Sequence, residues 1–75
     1  MKSYRCTVKK GEKAELLSET IEAEYAEAAL QQLIARNREK LRTAGAPTCF
    51  GDPLQLKNDL VLFENDGWRF SAKLS

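Results

Sequence analysis

The chain has 75 residues, of which 43% are hydrophobic and 31% charged, which suits a single domain with one modest core and is too apolar for disorder. Its net charge is +1, so no global field draws it to nucleic acid or membrane. Histidine is absent, which removes the commonest general base and every Ser-His or Cys-His nucleophile pair.

Met1-Lys2-Ser3-Tyr4-Arg5 leads straight into alternating residues, so no signal peptide is expected, and no apolar run is long enough to span a bilayer. A cytoplasmic protein without membrane contact is expected. The first strand is predicted over Ser3 to Lys9, with Tyr4, Cys6 and Val8 on one face and Arg5, Thr7 and Lys9 on the other. Lys10-Gly11-Glu12-Lys13 reads as a hairpin turn. A second strand lies within Glu15 to Ala23, where Glu19 breaks an otherwise apolar face and a bulge or a frayed start is expected near Leu16-Leu17. One helix is predicted from about Tyr25 to about Thr43. Ala26, Ala29, Leu30, Leu33, Ile34, Asn37 and Leu41 form its stripe. Glu24 and Glu27 suit its positive end, and Arg36, Arg38, Lys40 and Arg42 its negative end. Gly45 and Pro47 stop it.

Ala46 to Asp52 reads as a loop, Pro53 to Lys57 as a short strand and Asn58-Asp59 as a tight turn. Leu60 to Glu64 is a strand, Asn65-Asp66-Gly67 a turn, and Trp68 to Leu74 a strand with Trp68, Phe70, Ala72 and Leu74 on one face. The expectation is one α+β domain, residues 1–75, in the order β-β-α-β-β-β, with one amphipathic helix packed on one face of a mainly antiparallel sheet. One helix covers only one face. Leu60-Val61-Leu62-Phe63 is apolar throughout, so either Leu60 and Leu62 or Val61 and Phe63 must point away from the helix. That pair is either scattered exposed surface or a dimer or partner surface.

Little in the chain suggests catalysis, and no enzyme is expected. Glu15, Glu19, Glu22, Glu24 and Glu27 cluster on paper, but neighbouring lysines and the helix dipole account for them. Gly45, Gly51 and Gly67 are isolated and build no phosphate loop. Cys6 and Cys49 lack Cys-x-x-Cys spacing, and without histidine two thiols are poor zinc ligands. Two reduced thiols are expected, one disulfide being the alternative, with no metal or cofactor. Cys6 falls on a core face. Cys49 lies in a loop with no evident activating base.

Two basic groupings stand out. Arg38 and Arg42 share one edge of the helix end, with Arg36 and Lys40 on the adjacent edge. They complement the dipole or meet acidic side chains or phosphates. The second grouping is Arg5, Thr7 and Lys9 with Arg69, Ser71 and Lys73, a cationic sheet face if the first and last strands are adjacent. Such a face is a possible nucleic-acid surface, although Tyr4, Trp68 and Phe70 fall on the opposite register and offer it no stacking.

Four places carry a resemblance to a known family. Met1-Lys2 with Tyr4 opens strand one. Ile21-Glu22-Ala23-Glu24 closes strand two and leads into the helix. Cys49-Phe50 follows the helix. Glu64-Asn65-Asp66-Gly67 with Trp68-Arg69 forms a charged, glycine-containing hairpin before an aromatic strand. On these residues most of the chain resembles a small type I-F anti-CRISPR family of phages and mobile elements, with one helix and a five-stranded antiparallel sheet. The Cys-Phe pair is the more telling match. The Ile-Glu-Ala-Glu lead into an Ala-rich helix is also similar to many β-β-α proteins, including a phage inhibitor of host RNA polymerase. The helix and following loop are longer than the family's, and Thr48 stands where the family has a longer amide side chain. The resemblance implies a viral, non-catalytic inhibitor that acts by protein–protein interaction in the cytoplasm of a bacterial host cell. It would bind the guide-RNA surveillance complex (Cascade) and block target DNA hybridisation, with Phe50 as loop anchor beside Cys49 and Thr48.

The expected partner surface is therefore Thr48, Cys49 and Phe50 with Arg38 and Arg42, and the partner a host protein or type I CRISPR ribonucleoprotein. The alternatives are a small nucleic-acid-binding domain using Arg5, Lys9, Arg69 and Lys73, or a phage inhibitor of another host machine such as RNA polymerase. A monomer or weak homodimer is expected. An aromatic ring in a loop flanked by Pro47 and Gly51 suits an interface anchor, or a cap on the open end of the core.

Overall fold

Alternating burial makes the strands. In a computed structural model that describes residues 1–57 and 59–75, β1 (Lys2–Lys10) and β2 (Glu15–Ala23) form an antiparallel hairpin. The fold is α+β, with five antiparallel strands in one sheet and two helices. Tyr4, Cys6 and Val8 are buried on β1, and Leu17, Ile21 and Ala23 on β2. The bulge expected near Leu16 is present: Val8 pairs with Leu17 and Lys9 with Glu15, so Leu16 is the extra residue.

The long helix predicted from the apolar stripe is instead two helices, α1 (Ala26–Arg36) and α2 (Arg38–Thr43). The break is at Asn37, whose φ is -119° and ψ 24°. Its amide Nδ2 donates to the Leu33 carbonyl at 2.9 Å and to Glu19 Oε2 on β2 at 2.8 Å. A side chain that takes an i−4 carbonyl bends the helix, and the bond to β2 holds that bend in place. Otherwise the stripe is buried as its spacing requires: Ala26, Ala29, Leu30, Leu33, Ile34 and Leu41 are all in the core. Gly45, at φ 78°, ends α2. The Ala46 N–H donates to the Leu41 carbonyl at 2.8 Å and the Gly45 N–H to that of Arg42 at 3.0 Å. These two bonds make a Schellman stop, which needs a left-handed residue and so favours glycine.

After the loop come β3 (Asp52–Leu56), β4 (Leu60–Asn65) and β5 (Trp68–Leu74). Asn58, half of an expected tight turn, lies outside the described residues. Asp66 and Gly67 both have positive φ, 51° and 82°, and connect β4 to β5 as a two-residue turn. The sheet order is β2-β1-β5-β4-β3. Helix α1 lies against β1, β2, β4 and β5 but not β3. Trp68, Phe70 and Ala72 are buried beneath it, whereas Leu74 is exposed.

On β4, Val61 and Phe63 are the buried pair, so Leu60 and Leu62 carry the apolar surface of the other face. Edge strand β3 is exposed along its whole length. Pro53 has no N–H to offer there, and a register shift at Leu54 interrupts the ladder. Both features blunt an open sheet edge.

Candidate functional site

Two surfaces gather the chemically useful side chains. The first is a groove of about 270 Å³ between the second half of α1 and the loop before β3. Ile34, Ala35 and Phe50 give it apolar walls, and Arg38, Thr48 and Cys49 a polar rim. The break at Asn37 begins α2 at Arg38, so the kink helps to set where that guanidinium leaves the helix. Arg42, expected in the same site, does not line the groove; it sits further along α2 and pairs with Glu39 at 3.6 Å on the open surface. An exposed pair of this kind adds little stability.

The loop is held from below. The Phe50 ring stacks on Phe63 with centroids 4.7 Å apart and planes at 27°, and lies 6.5 Å from the Phe70 ring. Phe50 is partly buried and extends the core. Asn65 Nδ2 donates to the Cys49 carbonyl at 3.1 Å and lies 3.3 Å from Cys49 Sγ. Gly51 follows at φ 80°, and a Cβ there would collide with the Glu64 carbonyl oxygen and approach Asn65 Cβ to 2.5 Å. The loop thus runs tight against the end of β4. Gln31 and Ala35 are groove residues that the sequence reading did not single out, and Ile34 was visible only as part of the buried stripe. Gly51 and Asn65 were visible only as turn formers, and no local signal linked either to the Cys49 backbone.

The second surface is the sheet face opposite α1. Strands β1 and β5 are adjacent, so the four cations of the sequence reading do come together. Arg5 pairs directly with Lys73, and Lys9 with Arg69. Between them Thr7 Oγ1 and Ser71 Oγ are 2.5 Å apart. Arg5 Nε donates to Ser18 Oγ at 3.1 Å.

The thiols differ. Both are free; Cys6 is buried and Cys49 exposed. Burial pushes the Cys6 thiol up to about 11, with the Glu19 carboxylate opposite it adding to the shift. Such a thiol stays protonated and packs rather than reacts. Glu19 is itself engaged, accepting from Asn37 and lying 3.9 Å from Arg36. Among the described residues no group of His, Cys, Asp and Glu is placed to hold a metal ion, and no helix is long and apolar enough to cross a membrane. A larger cleft of about 530 Å³, near the start of α1, is lined among others by Lys2, Tyr25, Glu27, Leu56 and Lys57. None of the residues expected to bind a partner lies in it.

Comparison with protein-family models, with curated proteins and with solved structures found no match to this chain.

Proposed function

We propose that the chain is a non-catalytic blocking protein of the kind implied by its resemblance to the type I-F anti-CRISPR family. In this reading it binds a host guide-RNA surveillance complex and denies target DNA its path. The observation that carries it is the groove that brings Arg38 beside Thr48, Cys49 and Phe50. An aromatic wall supplies burial, and one guanidinium on its rim supplies orientation and a charge for steering. Because Phe50 rests on Phe63, the loop is fixed before a partner arrives, which lowers the entropy lost on binding. One helical segment, α1–α2, on a five-stranded antiparallel sheet supports the same reading. Arg42 serves in this reading as an outlying steering charge.

A mobility-shift assay with a purified type I-F surveillance complex and its matching target duplex tests the proposal. An equimolar amount of the protein is expected to abolish duplex binding. Arg38→Glu combined with Thr48→Arg is expected to restore it while the circular-dichroism spectrum stays that of the parent. Transcription by host RNA polymerase is expected to continue. Undiminished target binding at saturating protein refutes the proposal, and arrest of transcription instead would move the target to the polymerase.

A further inference from the structure

The uncovered sheet face carries a charge arrangement that the fold itself does not need. We infer that it is a docking surface for the phosphate backbone of duplex DNA, independent of the groove at Arg38. Antiparallel pairing of β1 with β5 sets Arg5 opposite Lys73 and Lys9 opposite Arg69. Like charges directly opposite each other on one sheet face are destabilising. The ion pairs among the described residues, Arg36 with Glu19 and Arg42 with Glu39, involve none of these four.

The two rows are not equal. Lys9 has Glu15 across from it on β2, and Arg69 has Glu64 on β4. Arg5 and Lys73 are instead flanked by Thr20 and Leu60. Neither residue of that row pairs directly with a carboxylate, and Glu22, opposite Ser3, is only diagonal to Arg5, so this row is the stronger anion site and the other the weaker.

The choice of duplex over single strand rests on what the face lacks. Single-strand binders stack bases on aromatic rings. Here Tyr4, Phe63, Trp68 and Phe70 are buried on the helix side of the sheet. Phe50 packs with them, and Tyr25 lies at the start of α1. The open face presents instead the Thr7 and Ser71 hydroxyls between the cation rows, groups suited to phosphate oxygens. Arg5 and Lys9 are four strand steps apart, about 13 Å. That is close to the ~12 Å width of the major groove, so one row can meet each backbone. No base edge is reached in this arrangement, and binding is independent of sequence.

Fluorescence anisotropy with a labelled random duplex of about 20 base pairs, titrated with the full chain over a range of salt, tests this. Four phosphate contacts set a limiting slope of about −3.6 for log K against log salt, and the weaker row brings the expected value to about −2 to −3.5. Arg5→Gln with Lys73→Gln is expected to make the slope shallower by nearly 2 units and to melt no lower than the parent, since it removes a like-charge pair. Arg38→Gln with Arg42→Gln is expected to leave the slope unchanged. Should the first double variant fold poorly, Lys9→Gln with Arg69→Gln gives the same reading with a smaller change. A parent slope shallower than about −1 overturns the inference, as does an unchanged slope in the folded sheet-face variants. So does tighter binding to single strands of the same length, or to phosphatidylserine vesicles, than to the duplex.

Discussion

Removing the Phe50 ring separates two roles of one side chain, tether of its loop and contact surface for a partner. Phe→Ala in a full core costs about 3–5 kcal/mol. Phe50 is only partly buried, but it loses a stacked partner at 4.7 Å and a tilted one at 6.5 Å. Scaling for exposure gives about 2–3 kcal/mol for Phe50→Ala. In a domain of this size that lowers the melting temperature by about 10–20 °C. Urea unfolding followed by circular dichroism reads the first figure, and a thermal scan the second. Phe50→Leu keeps apolar volume against Phe63 and is expected to recover about half of the loss. A loss below about 0.5 kcal/mol for Phe50→Ala would refute the stack as the tether of the loop, and would leave the ring as contact surface alone.

Gly51→Ala places a methyl against the Glu64 carbonyl at a positive φ; it is expected to cost more than about 2 kcal/mol, and a parent-like melt would contradict the tight loop path. Leu30→Ala, Leu33→Ala and Phe70→Ala, all at 0% exposure, should each cost roughly 2–5 kcal/mol in chemical denaturation, and losses under about 1 kcal/mol at all three would overturn the packing of α1 on β5. The Cys6 thiol is raised from 9.0 to about 11 in the fold. Its contribution is therefore complete below pH 9 and is lost as pH rises towards 11, where the unfolded chain has released a proton that the folded one keeps. Urea midpoints should fall across that window, and Cys6→Ala should remove part of the fall; an identical pH profile in the variant would contradict it. Iodoacetamide at pH 8 should label Cys49 quickly and Cys6 only on unfolding, as mass spectrometry of timed samples would show.

What could be read in the sequence was local. Alternation placed the strands, Asp66-Gly67 the last turn, and the broken pattern around Glu19 the bulge at Leu16. The helical stripe also named its buried residues, but it included Asn37 as if that amide were a neutral filler. The kink depends on Glu19, a residue 18 positions away, and periodicity holds no information about a partner so distant. The same limit applies to the cationic face. Alternation shows which side of a strand a residue takes, not which strand lies beside it, so the meeting of Arg5 with Lys73 depended on strand order. It applies again to Phe50, whose loop position favoured neither interface nor core until Phe63 was found beneath it. Arg42 was grouped with Arg38 by helical spacing, which α2 preserves; it misses the groove because it lies a turn further along that helix, paired with Glu39.

The placement of β1 and β5 side by side has a consequence for how the molecule is made. These two strands, the farthest apart in sequence, lie next to each other inside the sheet, and the Ser75 N–H reaches the Ser3 carbonyl at 3.0 Å. The β1–β2 and β4–β5 hairpins are assembled from near neighbours in sequence. Their union is the most distant pairing in the chain and bears the largest loop-closure entropy. During synthesis the first hairpin must therefore wait, with one edge of β1 unpaired, until β5 leaves the ribosome. Deleting β1 or β5 removes an interior strand, and so divides the sheet where deleting an edge strand would only narrow it.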